Sequence, residues 1–206
     1  MYMTNSNFTP EEIKNFFSKH FTARKYKNYE MPKEHLDTLL YAAQRAPTDA
    51  TAQMYSIIRI TDKAIKEKLA NLTNNPHMAT ASESFIMCAD IHRLKKILNA
   101  HDYELGNFPH TAIHFAVGDI VMAGENLLLA AEMLGYMGCW IGGVMRSIQE
   151  ISDLLKLPKG VFPFAGLTIG VPDEESKHRP RLYRDQVVHE NKYREYSSYC
   201  CKFWLC

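Results

Sequence analysis

Apolar residues recur along this chain in two rhythms, and the changes of rhythm mark the elements. Thr9-Pro10-Glu11-Glu12 predicts a helix start: a threonine cap, a proline at the first helical position and a glutamate that closes a capping box. That helix is expected to reach about His20, and residues 22–29, basic and aromatic, read as a loop. Over residues 32–46, Leu36, Leu39, Leu40 and Ala43 fall on one helical face. Residues 47–53 form a loop of small and hydroxyl side chains. The β-branched run 55–60 predicts a strand, 64–72 a short helix, and 84–89 a second strand followed by a helix to about Leu98. Residues 112–135 predict a helix about 36 Å long. It is apolar on more than one face, so it lies centrally in the core or is shared with a partner subunit. A third strand is expected over 138–144, a capped helix over 147–157 and a fourth strand over 162–171. Helix dominates with about four strands, which indicates one compact α+β domain.

The chain has 206 residues, 46% apolar and 23% charged, values that exclude a globally disordered polymer. Twenty-four Lys and Arg against 23 Asp and Glu leave a net charge of +1, without the basic excess of a nucleic-acid-binding surface. Residues 1–9 show no charged start followed by an apolar run, so no export signal is read. The most apolar region, 111–137, is interrupted by His114, Asp119, Glu125, Asn126 and Glu132 and is expected not to span a bilayer. A cytoplasmic location is the simplest expectation. Cys88 and Cys139 sit in apolar runs and read as buried thiols. Cys200, Cys201 and Cys206 crowd the last seven residues without a second ligand pair at zinc spacing.

The familiar chemistry-bearing motifs are missing: no G-x-G-x-x-G after a strand, no phosphate loop of the G-x-x-x-x-G-K-[ST] kind, no H-E-x-x-H and no G-x-S-x-G. His110 and His114 share a helix face but have no acidic partner between them, and no metal is expected. Four segments remain. Arg24, Lys25 and Lys27 form a local positive site, either a solvated loop or a phosphate clamp, since arginine offers a fork of donors to phosphate oxygens. Arg179-Pro180-Arg181 is a second basic pair whose side chains point to one side if the segment is extended. Gly138-Cys139-Trp140-Ile141-Gly142-Gly143 ends a strand in paired glycines, which either pack tightly or let a flat ligand touch bare backbone. The 48–53 loop, with Thr48, Thr51 and Gln53, is either a plain connection or a source of hydrogen bonds without bulk.

In this order the segments resemble the nitroreductase family of FMN-dependent oxidoreductases, within it the NADPH-dependent flavin reductase and oxygen-insensitive nitroreductase A-type branch. The resemblance is carried by Ala23-Arg24-Lys25-Tyr26-Lys27-Asn28-Tyr29, by Ser56-Ile57-Ile58-Arg59-Ile60-Thr61-Asp62-Lys63 and by Trp140-Ile141-Gly142-Gly143. Leu154-Leu155-Lys156-Leu157-Pro158, Arg179-Pro180-Arg181-Leu182 and Val188-His189-Glu190-Asn191-Lys192-Tyr193 complete it.

The family implies a homodimer with one FMN at each of two interface sites, and a central, mainly antiparallel sheet of four to five strands wrapped by helices, with a long interface helix. By position it implies cofactor-binding roles for Arg24, Lys25 and Lys27, for Arg179 and Arg181, and for Thr48, Asp49 and Gln53. It implies the same for Asn75 and for Trp140, Ile141, Gly142 and Gly143 along the isoalloxazine ring, with no catalytic side chain because the flavin carries the chemistry. Lys25 stands where many members have serine, Lys27 replaces an arginine and Asp49 replaces a hydroxyl residue. The implied activity is hydride transfer from NAD(P)H through flavin N5 to a nitroaromatic, a quinone or free flavin, in a ping-pong cycle. A flavin store or sensor without turnover is the alternative. The resemblance covers one domain, 1–193, and leaves 194–206 as an atypical tail.

Overall fold

A computed structural model describes residues 7–106, 109–175 and 178–195. Seven α-helices and four strands are present among them: α1 (Pro10–Ser18), α2 (Lys33–Gln44), β1 (Tyr55–Arg59), α3 (Lys63–Thr73), α4 (His77–Thr80), β2 (Glu83–Asp90), α5 (His92–Asn99), α6 (Pro109–Met133), β3 (Met137–Ile141), α7 (Ile148–Leu154) and β4 (Val161–Gly170). Thr9 and Glu12 form the reciprocal cap at the head of α1. The strands pair antiparallel throughout in the order β1-β2-β4-β3, so the architecture is α+β.

The two central strands set the core. β2 is buried along its whole length. Its side chains alternate between two apolar clusters, as a pleated strand requires. Phe85 and Met87 face α2 and α6 together with Leu167 and Ile169 of β4. Ile86 and Cys88 face α3 and α7, against Leu69, Ile141 and Ile151. The Cys88 and Cys139 thiols are both buried and unbridged, and burial pushes Cys88 up to about 12. Cys200, Cys201 and Cys206 lie outside the described residues.

The long helix α6 buries Ala116, Ile120, Ala123, Leu127, Leu128 and Ala131 and packs on the sheet and on α2. By length and composition alone its Thr111–Met133 stretch is apolar enough to cross a membrane, with mean hydropathy 1.4, a test that the core helix of a soluble protein passes as well. Its Asp119 is fully buried and bonded within the fold.

One predicted element needs correction. The third strand stops at Ile141, not Val144, and Gly142–Arg146 winds into a 3-10 turn. Gly143 shows the physical reason. A Cβ there would stand 2.3 Å from the Thr73 carbonyl oxygen, so the backbone is already packed against the end of α3 instead of continuing beside β4.

Candidate functional site

The chain's two ends are stitched together before any functional side chain is placed. After α1 the backbone runs along the sheet edge, where the Ala23 N–H donates to the Gly138 carbonyl at 3.1 Å and the Lys27 N–H to that of Val171 at 2.9 Å. Tyr26 bridges to Pro172, and the Asp173 N–H donates to the Lys25 carbonyl at 2.9 Å. Tyr26 is buried and donates its hydroxyl to the Ala23 carbonyl at 2.7 Å; burial pushes its phenol well above the ordinary value. Its ring lies 2.7 Å from where a Cβ on Gly170 would be, so only glycine lets the two segments close at that point.

This stitching brings Arg24 together with Arg179 and Arg181. All three line one cavity of about 450 Å³, whose other walls include Phe17, His20, Thr22 and Glu174. That volume lies within the about 300–1,000 Å³ of small-molecule sites. Among the described residues none of the three guanidiniums is in an ion pair. Glu174 turns its carboxylate back onto the main chain, accepting the Arg24 N–H in a short hydrogen bond and the Lys25 N–H at 3.0 Å, and these donors hold its carboxyl below the usual carboxylate range.

Lys25 and Lys27, grouped with Arg24 by charge, are exposed and do not line this cavity. From this segment His20, Phe21, Thr22 and Arg24 do, and the polar ones, His20, Thr22 and Arg24, are spaced two apart, the period at which an extended chain presents one side. Counting charge hid that parity. His20 is oriented from behind: its Nδ1 lies 2.7 Å from Oε1 of Glu132 on α6, whose carboxylate side chain is only 3% exposed. His77 is buried nearby, and its Nε2 lacks a partner among the described residues. Burial, and secondly the charge of Arg24, lower its pKa.

A second group of predicted residues lies where the end of α3 meets the 3-10 turn after β3. Asn75 donates from Nδ2 to the Thr73 carbonyl at 2.6 Å, and the same amide covers Gly143. Gly143 therefore serves close packing within the chain, while a Cβ on Gly142 would meet nothing within 4 Å, leaving its backbone bare. The side chains of the two preceding residues are spent on the core. Trp140 lies over Gly124 of α6, and Ile141 is buried in the cluster on the other sheet face.

The third group stands apart. Thr48, Asp49 and Gln53 do not line the arginine cavity; Gln53 lines a different one of about 860 Å³, beside Tyr41, Tyr55 and Arg93. Their loop is held in an unusual shape, with Ala50, Thr51 and Gln53 all in the left-handed region at φ 45°, 56° and 50°. For a β-branched residue such as Thr51 that conformation is costly and needs enforcement. Asp119 supplies it, sequence reasoning having left it as one of the charges interrupting α6: its two oxygens accept the Asp49 and Met54 N–H groups, each at 2.8 Å.

No group of described His, Cys, Asp and Glu could hold a metal ion, and the side chain of His110 lies outside the described residues. The donor set of the arginine cavity is instead that of an anion site.

Comparison with known proteins decides the family, since the nitroreductase family model matches residues 18–171. The chain belongs to the nitroreductase family. It is 38% identical over 175 residues to the oxygen-insensitive NADPH nitroreductase of Salmonella typhimurium, a match covering 84% of this chain and 71% of that protein. It is 32% identical over 190 residues to the FMN reductase (NADPH) of Bacillus subtilis, covering 91% and 75%. Among solved structures, the NADPH:FMN oxidoreductase from Vibrio harveyi complexed with NAD+ superposes with a TM-score of 0.87 at 28% identity, covering 92% of this chain and 81% of that one. The nitroreductase fold expected from the sequence is thereby shown.

Proposed function

We propose that this protein is an NAD(P)H-dependent FMN oxidoreductase that reduces nitroaromatic, quinone or flavin acceptors. The observation that carries the reading is the convergence of Arg24, Arg179 and Arg181, from opposite ends of the sequence, on one cavity, without ion-pair partners among the described residues. Three guanidiniums fit a phosphate monoester, which accepts forked, charge-assisted hydrogen bonds. The bare backbone at Gly142 and the Asn75 amide fit the edge of a flat ring. FMN, when bound, supplies two-electron chemistry, taking a hydride from NAD(P)H and passing the electrons to the acceptor in a ping-pong cycle.

The chain's own part is binding and orientation. Arg24, Arg179 and Arg181 hold the phosphate, with His20 and Thr22 flanking it. The Gly142 main chain permits close approach to the ring, while Trp140 and Ile141 fix the strand by anchoring in the core. The Lys25 and Lys27 side chains, exposed and outside the cavity, contribute long-range positive potential without their ammonium groups touching the phosphate.

Thr48, Asp49 and Gln53 do not line the arginine cavity of their own chain. We assign them to the cofactor site of a second copy, in a homodimer with two interface sites. Exposed apolar side chains support such a partner: Ile113, Phe115, Val121 and Met133 on α6, and Ile13 and Phe17 on α1. A cytoplasmic enzyme acting on small molecules, independent of nucleic acid and membrane, follows from this reading.

The test is an absorption spectrum of the purified protein, with and without NADPH in the absence of oxygen. The expected protein is yellow, releases FMN on denaturation and bleaches with NADPH. A yellow protein that NADPH does not bleach would be a flavin store, and a colourless one that takes up no added FMN would overturn the proposal.

A further inference from the structure

The arginine cavity already contains an anion of the chain's own. Glu174 lines it and accepts the adjacent backbone N–H groups of Arg24 and Lys25, on the segment that also carries the Arg24 guanidinium. Two successive N–H groups beside a guanidinium make an anion receptor, and a carboxylate presents to it the same kind of oxygen as a phosphate. Holding the segments together does not require this carboxylate, because the main-chain bonds from Lys27 to Val171 and from Asp173 to Lys25 and the Tyr26–Pro172 bridge join them already. Glu174 is solvent-exposed, so its side chain can swing away. Glu175 lines the same cavity but makes no such bond.

We propose that Glu174 is a resident anion that competes with the ligand's phosphate for the Arg24 and Lys25 N–H groups, lowering affinity for FMN and keeping the bound flavin exchangeable. The proposal rests on the reading above that this cavity takes the FMN phosphate.

The test titrates the full chain with FMN, riboflavin and inorganic phosphate. Wild type is compared with Glu174→Gln, which still accepts both N–H groups but without charge, and with Glu175→Gln, which removes an equal charge that does not touch them. Glu174→Gln is expected to bind FMN and phosphate roughly three- to tenfold more tightly, the scale of one charge acting through a partly solvated cavity. Riboflavin affinity should stay unchanged, and the Glu175→Gln gain should be smaller. Unchanged or weaker FMN and phosphate binding by Glu174→Gln, or an equal gain in Glu175→Gln, would overturn the proposal. A wild type that binds no FMN would instead sink the functional reading, and the phosphate titration would still decide the role of Glu174.

Discussion

The Thr73 carbonyl oxygen stands 2.3 Å from the point where a side chain on Gly143 would begin, so the end of α3 and the turn after β3 touch backbone to backbone. Neither partner is the tip of a flexible side chain, and a methyl group must displace main chain. Gly143→Ala is therefore expected to cost roughly 1–3 kcal/mol, the range of overpacking. Gly142→Ala, with open space around it, should be close to neutral for folding. Urea unfolding of the two variants checks the contrast; equal costs would refute it.

The positive residues near the N-terminus divide by position and not by charge. Arg24 lines the cavity shared with Arg181, while Lys27 does not. Arg181→Ala should weaken FMN binding by about 1–3 kcal/mol, the scale of hydrogen bonds to a charged group and of leaving its partner unmatched. Lys27→Ala should lose only a few tenths of a kcal/mol, as for screened surface charge. Fluorescence titration with FMN and with riboflavin separates the cases, since riboflavin lacks the phosphate and should bind both variants alike.

These contrasts show what the linear chain discloses. Periodicity located the strands and long helices because each buries one face or both. Charge clustering singled out the arginines and the resemblance gave them a role, and the 20–24 segment had a further signal in its alternate polar residues His20, Thr22 and Arg24. Two things are not written locally. Gly142 and Gly143 are adjacent and chemically identical, and only the position of Thr73, seventy residues earlier, makes one of them packed and the other open. Likewise Asp119 looks like an interruption of an apolar helix until the 49–54 loop folds over it and donates two N–H groups.

That loop gives the next prediction. Asp119 is fully buried and satisfies both ends of a segment with three left-handed residues. Asp119→Ala would strand two donors and release the enforced conformation. The expected cost is roughly 2–5 kcal/mol, from hydrogen bonds to a charged group and the unpaired partners left behind. Asp119→Asn, which keeps one acceptor, should cost less. Hydrogen exchange should show faster protons at Asp49 and Met54 in both variants; unchanged protection in Asp119→Ala would refute the clamp.

Glu132 supplies a pH dependence with a definite sign. Burial raises its carboxyl pKa above the ordinary 4.5, the hydrogen bond and charge of His20 oppose that shift, and Glu125 on the same helix adds to it. A raised value means that the folded protein holds this proton more tightly than the unfolded chain does. The stabilisation linked to it is therefore complete below pH 4.5 and is lost as pH rises through the shifted value. Glu132→Gln keeps a neutral side chain of the same shape and does not titrate. The stability of wild type relative to Glu132→Gln is accordingly expected to fall as pH rises above 4.5, measured by urea unfolding at closely spaced pH values. A difference that stays level or grows with pH would mean that the bond to His20, 2.7 Å away, outweighs burial and holds Glu132 ionised in the fold.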